Sequence, residues 1–248
     1  MCGRFTLQTP VLDWLQCIFP SYADQWPALV AGLIKTHPSL CEARYNIAPT
    51  QSILCITQHT CGITPELVPM RWGLVPGWAD SLRVAYTMIN ARSDSLTSKP
   101  TFRPLLDRYR CVVLADGYYE WRTELLRSGK ELKQPFWIHR KDHHPFAIGG
   151  LWTQNNKIPD GPIQSATFIT TDANKDLEGV HDRMPVLFNN EQEISAWLSA
   201  DATWDQISSM AVPAPSGTVE AIPVSTRVNS VKNQGPELLQ GEIQWELF

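Results

Sequence analysis

The sequence predicts an α+β fold: a curved, mainly antiparallel β-sheet or barrel-like core with peripheral helices. Ten Trp, nineteen Pro and fourteen Gly describe short strands and ordered loops around aromatic packing, unlike a bundle of long helices. A series of short β-rich segments punctuated by turns fills the middle of the chain, and helical periods appear only at its two sides. With 43% hydrophobic and 19% charged residues, the 248 residues suffice for one good-sized core, so a single domain over residues 1–248 is expected.

Thr9 as N-cap and Pro10 at the first helical position open a segment in which Val11, Leu12, Leu15, Ile18 and Phe19 follow a helical period. That helix would hold the N-terminus near the core. From Ala23 to Ala43 the chain reads as helical around "WPALVAGLIK", ending before "RYNIAPT", whose Pro49 marks a rigid loop. "ILCIT" at 53–57 is a predicted strand, followed by "MRWGLVPGWA", "YTMINARSD", "CVVLADGYYEWR", "PFWIHR", "PFAIGGLW" and "ATFITTD". "KDHH" reads as a hairpin loop between two of these. Asn190 and Glu193 form a capping-box pattern before "EISAWLSA", where Ile194, Trp197 and Leu198 share a helical face.

Composition also excludes functions. No stretch approaches the roughly 18 to 20 apolar residues of a membrane span, so a cytosolic protein is expected, or a nuclear one in a eukaryote. The net charge of −4 argues against gripping long nucleic acid through a general electrostatic field, and any such contact must be local. Six cysteines, at 2, 17, 41, 55, 61 and 111, show no Cys-x-x-Cys pairing, and the six histidines supply no zinc-ligand spacing. Reduced, mostly buried thiols are expected, with no metal and no cofactor.

The chain starts "MCGRF". Removal of Met1 would leave Cys2 with a free α-amine beside its thiol, two nucleophiles with ordinary pKa values of about 7.7–8.0 and about 8.5. Arg4 is close enough in sequence to lower both. Toward an aldehyde, such a 1,2-aminothiol forms a Schiff base on which the thiolate closes to a five-membered thiazolidine. From "MC" alone, a merely small residue near the terminus is the simpler reading.

In "TMINAR" the period of two puts Met88, Asn90 and Arg92 on one face. In "DGYYEWR" it puts Tyr118, Glu120 and Arg122 together, where burial would raise the Glu120 pKa and Arg122 would lower it. Glu120 is a candidate general acid/base, or half of a structural Glu–Arg pair. "GVHDRMP" sets His181 in a turn with Asp182 as a potential orienting carboxylate. Pro49, Pro76 and Trp78 form an apolar set suited either to core packing or to stacking on nucleobases.

Seven blocks in order, "MCGRF", "RYNIAPTQ", "WGLVPGW", "INARSD", "ADGYYEW", "GVHDRMPVL" and "VKNQGPEL", resemble the SOS response-associated peptidase (SRAP) family of abasic-site processing proteins. The resemblance covers almost the whole chain and implies the SRAP fold, self-processing of Met1, and covalent capture of an abasic site in single-stranded DNA as a thiazolidine. It implies Cys2 as both nucleophiles, Asn90 as orienting the N-terminus and the sugar, and Glu120 as the proton carrier. His181 would protonate or stabilise the ring-opened sugar and assist reversal. Arg4 and Arg92 resemble phosphate-binding arginines, with Lys99, Arg103 and Thr171 as further candidates on the strand path. Pro49 and Trp78 resemble residues that kink DNA and stack at a junction of single-stranded and duplex regions.

The chain departs from the family's pattern at Ala79, where some members carry a second aromatic, and at Met184, often arginine. Its 24–43 segment looks longer than in compact members, which predicts an extra surface helix. A monomer acting on DNA, nucleoid-associated in a bacterium, is the expected state. Two other functions fit the same residues: a thiol peptidase with Cys2 as nucleophile and His181 as base, and a noncovalent reader of damaged DNA that does not need Cys2.

Overall fold

A computed structural model describes residues 2–58, 65–125, 129–159 and 161–241. In chain order the regular elements are β1 (Arg4–Leu7), α1 (Val11–Ile18), α2 (Trp26–Thr36), β2 (Arg44–Ile47), β3 (Ser52–Gln58), β4 (Pro65–Trp72) and β5 (Asn90–Arg92). They continue with β6 (Arg110–Ala115), β7 (Gly117–Leu125), β8 (Glu131–Arg140), β9 (Phe146–Asn155), β10 (Ile163–Asp172), β11 (Arg183–Pro185), β12 (Leu187–Phe188), α3 (Glu191–Leu198), α4 (Trp204–Ile207) and β13 (Val219–Pro223). The fold is α+β, as predicted.

Strands β10, β4, β3, β6 and β9 pair in that order, and β9 pairs back with β10, so the sheet closes into a barrel. Short strands β5, β11 and β12 extend its rim. A second sheet runs β13-β8-β7-β1-β2. Pairing is antiparallel except where β10 meets β4 and β5. The two sheets share one hydrophobic core: Phe5 of β1 meets Trp72 and Phe168 of the barrel edge-on at 5.3 and 5.4 Å, and those two rings stack at 4.6 Å. This aromatic triple fixes the start of the chain against the barrel.

Gly117 marks where the chain leaves the barrel for the second sheet. A Cβ there would lie 2.3 Å from the Trp137 indole nitrogen and 2.9 Å from the Ile138 carbonyl, so only glycine admits this strand approach. The preceding Asp116 accepts hydrogen bonds from the amides of Gln8 and Thr9. That contact corrects the predicted Thr9 cap: α1 starts at Val11, Pro10 stands at the cap position, and Thr9 serves Asp116.

Other boundaries differ for equally local reasons. "KDHH" is no hairpin, because β8 pairs with β7 and β13 whereas β9 pairs with β6, β10 and β12, so the segment links two sheets. "WGLVPGWA" is strand only up to Trp72; Gly73, at φ +111°, then turns the chain into a loop that lasts until Asn90. The capping pattern at α3 is displaced by one residue: the Asn190 side chain accepts from the Glu193 amide, while the Glu193 carboxylate accepts from the Asn189 amide. A helix does occupy the 24–43 segment: α2 buries Trp26, Val30 and Leu33. Of the five described cysteines, Cys2, Cys55 and Cys111 are buried, Cys41 is half-buried and Cys17 exposed; Cys61 lies outside the described residues. Among the described residues no helix is long and apolar enough to cross a membrane.

Arg110, 4% exposed, joins the barrel to the C-terminal helices. Its guanidinium donates to the carbonyls of Leu106, Trp197, Ser199 and Ala202, and no carboxylate competes for it in those bonds. Arg110→Ala strands several buried carbonyls and is expected to lower the unfolding free energy by about 3 kcal/mol. Urea unfolding that shows the midpoint falling with an unchanged slope checks this.

Candidate active site

The start of the chain is held from both sheets. Arg4 pairs with Tyr119 and Phe5 with Tyr118, so β1 runs antiparallel along β7 and carries Cys2 toward Glu120. The Cys2 side chain is 1% exposed and belongs to the main core. Its thiol donates weakly to the Arg4 carbonyl at 3.5 Å. From the barrel rim, Asn90 Nδ2 donates to the Cys2 carbonyl at 2.8 Å. Asn90 Oδ1 is buried and has no hydrogen-bond partner among the described residues, which leaves one acceptor available in the site.

Glu120 is 2% exposed and faces His181, with Oε2 3.7 Å from Nε2. Burial pushes the Glu120 carboxyl up to about 7. The predicted opposing influence of Arg122 is absent, because that guanidinium pairs with Glu124 and stacks over the Phe136 ring at 4.6 Å. Two residues further along the strand, its charge is spent elsewhere.

His181 Nδ1 accepts from the Arg183 amide at 3.0 Å and lies 2.9 Å from Asp182 Oδ1. The amide contact places the proton of the neutral ring on Nε2, toward Glu120; a second proton on Nδ1 would turn to Asp182. Burial lowers the pKa of this histidine, which favours the neutral ring. The Cys2 thiol is raised well above its ordinary value, by burial first and then by Glu120, so it rests protonated. This corrects the prediction that Arg4 lowers it: the Arg4 guanidinium points away, and only its carbonyl meets the sulfur.

Cys2, Asn90, Glu120 and His181 are thus brought to one place, at the seam between the two sheets. The seven other candidates spread outward from it. Arg4 donates to Asn46 Oδ1 and the Val228 carbonyl, both at 2.8 Å, and to the Asn229 carbonyl at 3.2 Å. Arg92, exposed beyond Asn90 on β5, lies side-on against Asp94. Lys99 and Arg103 are exposed in the next loop, where the Lys99 carbonyl accepts from the Arg103 amide. Thr171 is buried on β10, paired with Met184, whose own side chain is in the core. Pro49 is half-buried in the turn before Thr50, which has φ +74°. Trp78 is 62% exposed, while Pro76 and Ala79 in the same turn are buried.

Sequence reasoning missed three contributors. Asn46 ties β2 to the C-terminal segment through the carbonyls of Val228, Ser230 and Asn233. Asp94 holds Arg92, a pairing whose only signal was the Arg-x-Asp spacing after a short strand. Arg183, 5% exposed, bonds Asp172 at 2.6 Å and the Thr170 carbonyl, and fixes the base of the His181 turn.

A barrel joined to a second sheet, with a cysteine at position 2 seated against Asn, Glu and His, defines a particular class of protein. A sequence model of the SOS response associated peptidase (SRAP) family matches residues 1–231, and the chain belongs to that family. It is 39% identical over 241 residues to the abasic site processing protein YoqW of Bacillus subtilis, covering 97% of this chain and 99% of that one. It is 30% identical to the abasic site processing protein YedK of Escherichia coli, over 97% and 99% of the two chains. The chicken abasic site processing protein HMCES is 35% identical over 70% of this chain and 56% of its own length. In fold, the chain matches a crystal structure of a protein from Bacteroides thetaiotaomicron with a TM-score of 0.78 and 22% identity, covering 98% of this chain and 100% of that one.

Proposed function

We propose that this chain processes abasic sites in single-stranded DNA by capturing the ring-opened sugar on Cys2 as a thiazolidine, shielding the lesion in the DNA damage response. The observation that carries the reading is the seating of Cys2 against Asn90 and Glu120, with His181 facing that carboxyl. The names of the relatives are consistent with it.

Met1 must leave first, because the nitrogen of Cys2 is an amide while it is attached. The freed amine attacks the sugar aldehyde, and the carbinolamine loses one water to give an imine. Sulfur then bonds to the same carbon as the C=N π electrons return to nitrogen, and the thiol proton ends on that nitrogen. Glu120, near 7, is matched to both proton transfers: it protonates the departing hydroxyl as an acid and relays the thiol proton as a base. Asn90 holds the Cys2 carbonyl and offers Oδ1 to a sugar hydroxyl. His181, neutral with Nε2–H inward, suits opening and stabilising the sugar ring.

DNA would follow the exposed cations Arg92, Lys99 and Arg103, with Arg92 exchanging Asp94 for a phosphate, and Trp78 stacking on a base at a duplex junction. Arg4 contributes through its hold on β1, with Thr171 and Pro49 shaping the walls.

Protein shown by intact mass to begin at Cys2, mixed with an abasic single-stranded oligonucleotide, is expected to give one heat-stable adduct per chain, heavier by the oligonucleotide minus one water. Absence of that adduct from correctly processed protein overturns the reading.

A further inference from the structure

The barrel has a second end, away from Cys2. β6 leads through Gly117 to Glu120 and β10 leads to His181, so the active site lies past the last residues of these strands. Their opposite ends surround a cavity of about 550 Å³ to which every barrel strand contributes: Thr57 near the end of β3, Glu66 near the start of β4, Tyr109 just before β6, Gln154 near the end of β9 and Gln164 near the start of β10. That volume is in the range of small-molecule sites, and the mouths of β-barrels commonly hold them. One wall is aromatic. The Tyr109 and Trp152 rings meet edge-on at 5.2 Å and 71°, and the Trp152 amide donates to the Tyr109 carbonyl at 2.8 Å, so the two side chains form a fixed corner. The polar lining is organised too: Gln154 Nε2 donates to Asn156 Oδ1 at 2.9 Å, which leaves Gln154 Oε1 as an acceptor and Asn156 Nδ2 as a donor. Arg108 supplies a cation, balanced within the lining by Glu66. The chemistry proposed for Cys2 uses none of these residues.

We propose that this mouth binds a nucleotide: the base lies on the Tyr109–Trp152 corner, its edge bonds the Gln154–Asn156 amide pair, and one phosphate sits on Arg108. The inference needs nothing from the reading of Cys2. Each part of the lining has a counterpart in that ligand. A planar ring system is what an aromatic corner holds best, and such stacking tolerates any base. An acceptor and a donor side by side match a base edge such as N6–H and N7 of adenine, the usual object of Gln and Asn side chains. A guanidinium takes a phosphate through paired N–H donors. With its one cation offset by Glu66, the mouth has no general attraction for polyanions, so the base carries a large share of the affinity. Asn155, between Gln154 and Asn156, donates to the Pro76 and Ala79 carbonyls at 2.6 and 2.8 Å, and so ties the turn that carries exposed Trp78 to the same strand end. The nucleotide is therefore either a free one or a unit of a DNA strand that passes Trp78.

Arg108 and Tyr109 are exposed, so each can be replaced without emptying the core. In equilibrium dialysis against the full chain, adenosine 5′-monophosphate is expected to fill one site with a Kd of about 0.1 mM. Arg108→Ala should weaken that binding about tenfold and leave adenosine unchanged, because it removes only the partner of the phosphate. Tyr109→Ala should weaken both ligands about tenfold. Circular dichroism equal to wild type separates a loss of binding from a loss of fold. Failure of the monophosphate to bind at millimolar concentration, or equal binding by wild type and both variants, overturns the proposal. A single-stranded oligonucleotide without an abasic site, added as competitor, identifies the source. Displacement that weakens in R108A assigns the site to a nucleotide within a DNA strand, and retention of the monophosphate at saturating oligonucleotide assigns it to the free nucleotide. Adduct formation at Cys2 is measured separately, and its failure would remove the proposed function while leaving this site standing.

Discussion

Cys2→Ala protein, processed so that the substituted residue carries the free α-amine, is expected to form no heat-stable adduct with abasic single-stranded DNA, while a borohydride-reducible imine through that amine persists. The loss is total because the carbon–sulfur bond has no other donor: the described cysteines at 17, 41, 55 and 111 lie elsewhere in the fold. Retention of Met1 on the wild-type chain should abolish the heat-stable adduct as completely, since the amide nitrogen of Cys2 is not nucleophilic and an imine formed on the Met1 amine does not present the 1,2-aminothiol that closes to a thiazolidine. Mass spectrometry of the starting protein beside a denaturing gel of the reaction distinguishes the two. An adduct of undiminished yield from C2A would remove sulfur from the mechanism.

Glu120→Gln should slow capture by about 100-fold, within the usual range for a lost general acid/base, and flatten the part of the pH–rate profile centred near 7. The same substitution should stabilise the protein above neutral pH. The sign follows from the direction of the shift: a buried carboxyl raised from 4.5 to about 7 holds its proton more tightly folded than unfolded. Wild-type stability therefore falls as pH rises from about 4.5 through about 7, by up to about 3 kcal/mol, and E120Q escapes that fall. Urea unfolding of both proteins at pH 5 and pH 8 should show the difference growing in favour of E120Q at the higher pH. A difference that is constant with pH would mean that Glu120 titrates in its ordinary range. Such a trade of stability for proton transfer is expected of a functional carboxyl kept from solvent.

Much of this site is legible from alternation alone. Period two places Tyr118 and Glu120 on one face of β7 and sets Asn90 and Arg92 apart from buried Ala91, because a strand leaves each side chain only two directions. Partners across the fold are not legible in that way. Arg122 is on the predicted face but reaches Glu124, and Arg4 is near Cys2 in sequence yet turns its charge to backbone carbonyls of the C-terminal segment. Those outcomes depend on which strand lies alongside, and pairings such as β1 with β7 join residues more than a hundred positions apart. The misread "KDHH" has the same origin, since two adjacent strands look like a hairpin until a second sheet is available to take one of them. Helix positions survived better, as their periodic faces are local, with errors at the caps of α1 and α3, in the length of α2, which is shorter than the 23–43 span, and in the short α4, which no periodic face announces.

The hold of Arg4 on Val228 spans 224 residues. A ribosome lays down the first of these two long before the second, and at roughly 5–20 residues per second the interval is on the order of ten seconds to a minute. Throughout it β1 lacks its final clamp, so the first residues stay open to whatever removes Met1, while the pocket that would make Cys2 reactive is still unassembled. The earliest residues made are the last to be secured, and under the proposed function Cys2 meets Asn90 and Glu120 only on a finished molecule.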